Sequence, residues 1–104
     1  MIVAILLLVL SQKPAAVPKE RAAEIYATNC QLCHGPNGTG TPLIKGSAFV
    51  GRKWKHGSTV AAVTKTITNG VPNTPMLPFK EKLTPQEIAA LASLVRSFDN
   101  KPKR

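Results

Sequence analysis

The sequence predicts an all-α domain closed around a covalently held cofactor, and three observations carry that prediction. Apolar residues recur at helical spacing from Lys19 to about Cys33, from Thr59 to Thr68 and from Pro85 to about Asp99. The segments between these helices are broken by proline and glycine, most densely in Val71-Pro72-Asn73-Thr74-Pro75-Met76-Leu77-Pro78-Phe79. Finally, Cys30-Gln31-Leu32-Cys33-His34 sets two thiols three positions apart and follows them at once with a histidine. That spacing suits covalent attachment of one haem c, with each cysteine adding to a vinyl group and the adjacent imidazole held under the iron.

Other uses of the pentapeptide compete with haem. A zinc site would want a second ligand pair, and beyond these three residues the chain offers only His56, at no zinc-finger spacing. A redox dithiol calls for a strand-helix-strand setting that the helical, glycine-rich flanks do not suggest. A structural disulfide across two residues would close a tiny loop and constrain little of the unfolded chain.

At 104 residues the chain is one small domain able to bury a modest core. Its aromatic residues are Tyr26, Phe49, Trp54, Phe79 and Phe98, a scarcity that fits a core centred on porphyrin. Met1 to Leu10 is almost wholly apolar and ends at Ser11-Gln12-Lys13-Pro14. It matches the length of a signal-peptide apolar region but falls short of the roughly 20 residues that span a bilayer. A basic leading segment and a clean small-x-small cleavage site are both missing. Residues 1–17 are therefore expected to be an export signal or a membrane-anchor remnant with its linker, with a buried N-terminal helix as the alternative. Residues 18–100 form the folded domain and 101–104 a basic tail. Export agrees with covalent haem attachment, and places the domain in the periplasm or on the outer face of the cytoplasmic membrane.

The formal net charge is +9. The basic residues are spread singly, with no nucleic-acid motif beside them, so nucleic acid is not the expected partner. A cationic surface that steers encounters with acidic redox proteins accounts for the same charge.

Each element follows from its residues. Pro18 suits the first turn of a helix, after which Ala22, Tyr26 and Cys30 share a face while Glu20, Arg21 and Glu24 stay outside. Gly35, Pro36, Asn37, Gly38 and Gly40 end that helix and force a loop, and Thr41-Pro42-Leu43-Ile44 returns an apolar pair toward the core. By itself Pro42 reads as a rigid turn. Ser47 to Lys55 has no sustained period; within it the indole N–H of Trp54 suits a haem propionate or a gap-filling role, and His56 reads as a surface residue. Ser58 is the expected N-cap of a helix that stops at Asn69-Gly70 and whose apolar stripe is Val60, Val63 and Ile67. Three prolines in seven positions then make residues 72–78 a stiff loop. Met76 lies at its centre, and a soft thioether on preset backbone is what a second axial ligand needs. Thr84-Pro85-Gln86-Glu87 forms a capping box with proline at the first helical position. Ile88, Leu91, Leu94, Val95 and Phe98 mark the stripe of the last helix, whose natural partner is the helix bearing Tyr26.

Taken together, Cys30-x-x-Cys33-His34, Thr41-Pro42-Leu43-Ile44-x-Gly46, Ile67-Thr68-Asn69-Gly70, Thr74-Pro75-Met76 and the closing amphipathic helix resemble a class I cytochrome c, closest to bacterial monohaem cytochromes. The resemblance covers roughly residues 19–98. It implies a small cytochrome c fold with crossing N- and C-terminal helices, in which Cys30 and Cys33 are the thioether sites, His34 the proximal ligand and Met76 the distal one. It further implies that the Pro42 carbonyl accepts from the second ring nitrogen of His34, and that Tyr26 meets Leu91 and Leu94 at the crossing. Two departures stand out: Ala22 where the family often has glycine, and Leu77 between Met76 and Pro78.

The function so implied is that of a monomeric single-electron carrier, not an enzyme, shuttling electrons between respiratory or dehydrogenase partners through a rim of Lys45, Lys53, Lys55, Lys80 and Lys82. Two alternatives stay open: a tethered haem subunit of an oxidase or dehydrogenase, or a haem peroxidase or gas sensor should Met76 not ligate.

Overall fold

The computed structural model describes residues 16–99 apart from 43, 45, 46 and 52. The apolar stretch Met1–Leu10, the basic tail and Lys45 lie outside the described residues. Among the described residues, no helix is long and apolar enough to cross a membrane.

The described residues form four helices in order: α1 Lys19–Asn29, α2 Gln31–His34, α3 Val60–Asn69 and α4 Pro85–Ser97, with a 3-10 turn over Pro36–Gly38 after α2. Between them the described backbone makes one isolated bridge, Thr41 to Ile44. The all-α class expected from the helical periods is the class observed.

Helix α1 opens on the extended backbone of Pro18, whose carbonyl takes the N–H groups of Arg21 and Ala22 at 3.0 and 3.1 Å. It buries Ala22, Ile25 and Tyr26, one face at spacings of three and four. The expected unbroken helix to Cys33 is in fact two. Cys30 leaves helical geometry at φ −122° and ψ −34°, and α2 starts afresh. The break sacrifices no hydrogen bond at Cys30, because its N–H still reaches the Tyr26 carbonyl at 2.9 Å while its own carbonyl accepts from Cys33 and His34. The second thiol and the imidazole can thus be re-aimed at little energetic cost.

Helix α3 begins one residue later than the sequence suggested. Thr59, not Ser58, is the N-cap, its hydroxyl accepting from the Ala62 N–H at 3.0 Å. Val63 and Ile67 are buried as expected, whereas Val60, the first residue of the expected stripe, sits in the opening turn and is exposed. At the far end the chain turns at Gly70, φ +67°, and the proline-rich loop comes back over the helix terminus. There Phe79 and Lys80 donate to the carbonyls of Ile67 and Thr68 at 3.1 and 3.3 Å, and Val71 donates to the Met76 carbonyl at 3.0 Å. The loop thereby satisfies carbonyls that the helix leaves without a partner.

Helix α4 carries the expected capping box in full. Thr84 N–H donates to Glu87 Oε1 at 2.9 Å, and Glu87 N–H donates to the Thr84 hydroxyl at 3.1 Å. Those bonds, with Arg21 nearby, hold the Glu87 carboxyl below its ordinary value. Ile88, Leu91, Ala92 and Leu94 are buried, and α4 packs against both α1 and α3. The predicted crossing of the terminal helices is therefore present. Ala22, which is fully buried, lies on the α1 face that meets the core, and the Tyr26 ring meets Phe98 edge-on at 5.0 Å. The core is the wedge where α1, α3 and α4 meet, and Cys30, Phe49, Trp54, Met76, Phe79 and Leu83 pack along its margin.

Candidate functional site

The turn after α2 is built by Tyr26. Its phenol donates to the Gly35 carbonyl at 2.7 Å and accepts from the Gly38 N–H at 3.0 Å, so one buried hydroxyl ties both sides of the loop to α1. A tyrosine at a core position needs such partners, which is the signal that separates it from phenylalanine. Burial pushes the Tyr26 phenol up to about 12, against lowering by the Gly38 N–H. Tyr26→Phe should lower stability by ~1–3 kcal/mol, the cost of leaving a buried donor or acceptor unmet. Because the phenol of the folded protein ionises later than that of the unfolded chain, its contribution is complete below pH 10 and disappears as pH rises toward 12. Thermal unfolding measured across that range should show the wild-type advantage over Tyr26→Phe shrinking; a constant difference would mean that the phenol does not ionise with unfolding.

Anchored in this way, the loop brings His34 against a second strand of backbone. The imidazole Nδ1 lies 2.8 Å from the carbonyl oxygen of Ser47. A carbonyl only accepts, so Nδ1 carries the proton and Nε2 keeps its lone pair. The ring also faces Phe49 at 5.5 Å between centroids. Here the structure corrects one expectation: the carbonyl at Nδ1 belongs to Ser47, not Pro42. Pro42 is exposed, whereas Ser47 is buried, and its hydroxyl accepts from the Thr41 N–H at 3.3 Å. Closing the loop between residues 41 and 47 turns Ser47 inward and leaves Pro42 on the outer bend.

Of the two roles open to Trp54, the structure shows the packing one. Its indole N–H donates to the Phe49 carbonyl at 2.7 Å, and its ring meets Phe49 edge-on at 5.3 Å. The indole therefore braces the loop beside His34 instead of pointing its donor at a propionate. Sequence reasoning missed Ser47 altogether and treated Phe49 only as one of a few aromatics. A main-chain acceptor has no side-chain signature, and nothing in the sequence marks Ser47 as one.

Cys30 and Cys33 are both half-buried free thiols. Burial pushes the Cys30 thiol up to about 11, with the neighbouring Cys33 adding to the shift, so Cys30 stays protonated at neutral pH. Met76 is half-buried against the same core margin, and the Thr74 hydroxyl accepts its backbone N–H at 3.2 Å. Among the described residues no group of three or more His, Cys, Asp or Glu is placed to hold a metal ion. Haem fits the same residues: two half-buried thiols, of which Cys30 packs at the edge of an apolar core, an imidazole whose tautomer leaves Nε2 to ligate, and apolar Phe49, Phe79 and Leu83 along that margin.

A helical wedge with a paired-thiol and histidine turn on its margin is a class I c-type cytochrome domain, and the comparisons agree. The model of the family described as cytochrome c oxidase, cbb3-type, subunit III matches residues 17–95, and the chain belongs to that family. It is 37% identical over 76 residues to the cbb3-type cytochrome c oxidase subunit FixP of Bradyrhizobium sp. (strain ORS 278), covering 73% of this chain and 26% of that protein. It is 36% identical over 85 residues to the FixP of Azorhizobium caulinodans, covering 82% and 28%. The chain thus spans about a quarter of the length of these curated relatives. Among solved structures, the KustC0563 c-type cytochrome is 34% identical with a TM-score of 0.65, covering 76% of this chain and 98% of that one. Covalently bound haem c is accordingly the cofactor, and Cys30 and Cys33 are the chain's only two cysteines.

Proposed function

We propose that this domain is a tethered electron-transfer module of a cbb3-type oxidase subunit, with His34 and Met76 as the axial ligand residues. The observation that carries the reading is the His34 imidazole: it follows Cys33 directly and donates from Nδ1 to the Ser47 carbonyl, so Nε2 is the nitrogen left to ligate iron. The tether, in place of the free carrier expected from the sequence, is supported by the family match and by relatives that are oxidase subunits several times longer. Bound haem c supplies one-electron chemistry at iron, with a potential raised by thioether ligation and burial.

The protein's own contribution is to hold ligands still. Ser47 fixes the imidazole, and the capped loop over α3 fixes the backbone of Met76, so neither side chain need move when charge is gained or lost. The domain transfers electrons and has no substrate site of its own. Leu32, between the two cysteines, and Leu77, directly after Met76, are exposed, so apolar surface accompanies both ligand-bearing segments. Lys53, Lys55, Lys80 and Lys82 are exposed as well, with the Lys82 ammonium 5.9 Å over the Phe79 ring. This face docks on an acidic redox partner at the periplasmic side of the membrane, and the domain carries no catalytic residue.

Carbon monoxide added to the reduced holoprotein tests the ligand set. Slow, incomplete binding by the wild type and rapid, complete binding by Met76→Ala is the expected pair of results. Rapid binding by the wild type would instead favour a peroxidase or gas sensor. Separately, the rate of electron exchange with an acidic partner should fall steeply as ionic strength rises through ~0.1 M, where the screening length shortens to about 10 Å. A flat profile would remove the basic rim from the proposal.

A further inference from the structure

Asp99 lies just past the end of α4 and is 5% exposed. Burying a carboxylate is costly unless it is hydrogen-bonded, so its retention in a small core calls for a task. Its Oδ2 accepts the backbone N–H of Gly51, in the turn that ends the loop lying against His34. Working back from that turn, Val50 and Phe49 donate their N–H groups to the Gly38 carbonyl at 3.3 and 3.0 Å, and the Phe49 ring stacks on Phe98 at 6.1 Å. At the other end of the same short segment, the Ser47 carbonyl meets His34 Nδ1. The segment from 47 to 51 is therefore a splint clamped to the imidazole at one end and to the terminus of α4 at the other.

We propose that Asp99 is a positioning residue for His34: by holding the Gly51 N–H it fixes the register in which Ser47 presents its carbonyl to Nδ1. The inference rests on the reading of His34 as an iron ligand. A carbonyl held on the distal ring nitrogen makes the imidazole a stronger donor and favours oxidised iron. Slackening the splint therefore weakens the donor and favours the reduced state. Gly51 allows the same turn to be perturbed from the loop side. Its φ is +75°, yet a Cβ there would meet nothing within 4 Å, so alanine strains the turn without a clash.

The test compares reduced and oxidised holoprotein of the wild type with Asp99→Ala, Asp99→Asn and Gly51→Ala. Asp99→Asn keeps an acceptor oxygen in place, and Glu87→Ala weakens the opposite end of α4 without touching the loop. Two quantities are read: the midpoint potential, and the exchange rate of the His34 Nδ1 proton by NMR of the reduced protein. Asp99→Ala should raise the potential and speed that exchange about tenfold, the scale on which partners of metal ligands act. Gly51→Ala should move both in the same direction, Asp99→Asn should restore wild-type values, and Glu87→Ala should lower the melting temperature while leaving both unchanged. An Asp99→Ala or Gly51→Ala protein that melts lower with an unmoved potential and exchange rate would overturn the positioning role and leave the electron-transfer reading intact. Absence of any reversible haem couple in the wild type would overturn both.

Discussion

Gly35→Ala is expected to abolish the folded haem-binding turn. Gly35 sits at φ +75° and ψ 167°, a region that essentially only glycine occupies, and forcing another residue there costs of order 1–3 kcal/mol. The steric problem is larger than the conformational one. A Cβ at this position would lie 2.0 Å from the carbonyl oxygen of Gly40 and 2.8 Å from its nitrogen. Gly40 cannot retreat, because its N–H is bonded to the His34 carbonyl at 2.6 Å. Nor can Gly35 itself move outward, since its carbonyl accepts the Tyr26 hydroxyl. The substitution must break one of these bonds, and both hold the turn that carries His34. The expected result is no recoverable protein with covalently bound haem, or a melting temperature lowered by more than ten degrees, the scale of ~3 kcal/mol in a domain of this size. Gly51→Ala is the control: its φ is equally left-handed but its surroundings are open, so its cost should stay near the ~1–2 kcal/mol of conformation alone. Equal melting temperatures for the two alanine variants would show that the Gly40 contact is not rigid.

The contrast between these glycines marks what the sequence could and could not reveal. A glycine cluster after His34 announces a loop, and the stripe of α4 with its capping box of Thr84 to Glu87 was legible from spacing and residue type, because local preference and burial agree there; in α3 the spacing also marked Val60, which is exposed. The pentapeptide identified two thiols and an imidazole on one turn, with Cys30 packed at the margin of the core. What stayed hidden was main-chain geometry. The kink at Cys30 costs no hydrogen bond and so leaves no breaker residue to see. The cap of α3 fell on Thr59 because Ser58 and Thr59 are both competent, and sequence alone does not choose between adjacent caps. The acceptor for His34 is a carbonyl, which every residue owns; the resemblance pointed to Pro42, and the inward turn of Ser47 depends on its hydroxyl meeting the Thr41 N–H across six residues. Between the two roles the sequence left open for Trp54 it could not choose for the same reason, since the indole's partner is again a backbone oxygen.

Leu91→Ala should be the most damaging substitution away from the site, and its severity should depend on haem. Leu91 has no solvent-accessible surface, the largest side chain among the described residues of which this is true. It lies on α4, which packs against both α1 and α3, so a cavity there loosens both interfaces together. Truncating a buried leucine to alanine costs ~2–5 kcal/mol, depending on how far the walls relax. A domain with so small a core has only ~5–10 kcal/mol of net stability to lose. Haem changes that balance: a large apolar group bound to the folded state alone adds burial that the side chains do not provide. Holoprotein carrying Leu91→Ala should therefore remain folded with a lowered melting temperature. The same substitution combined with Cys30→Ala and Cys33→Ala, which prevents covalent attachment, should leave a chain whose far-ultraviolet circular dichroism shows little helix at 25 °C. Should that triple variant melt cooperatively at the holoprotein's temperature, the helical wedge would be self-sufficient, and the cofactor would be a passenger on the fold instead of part of its core.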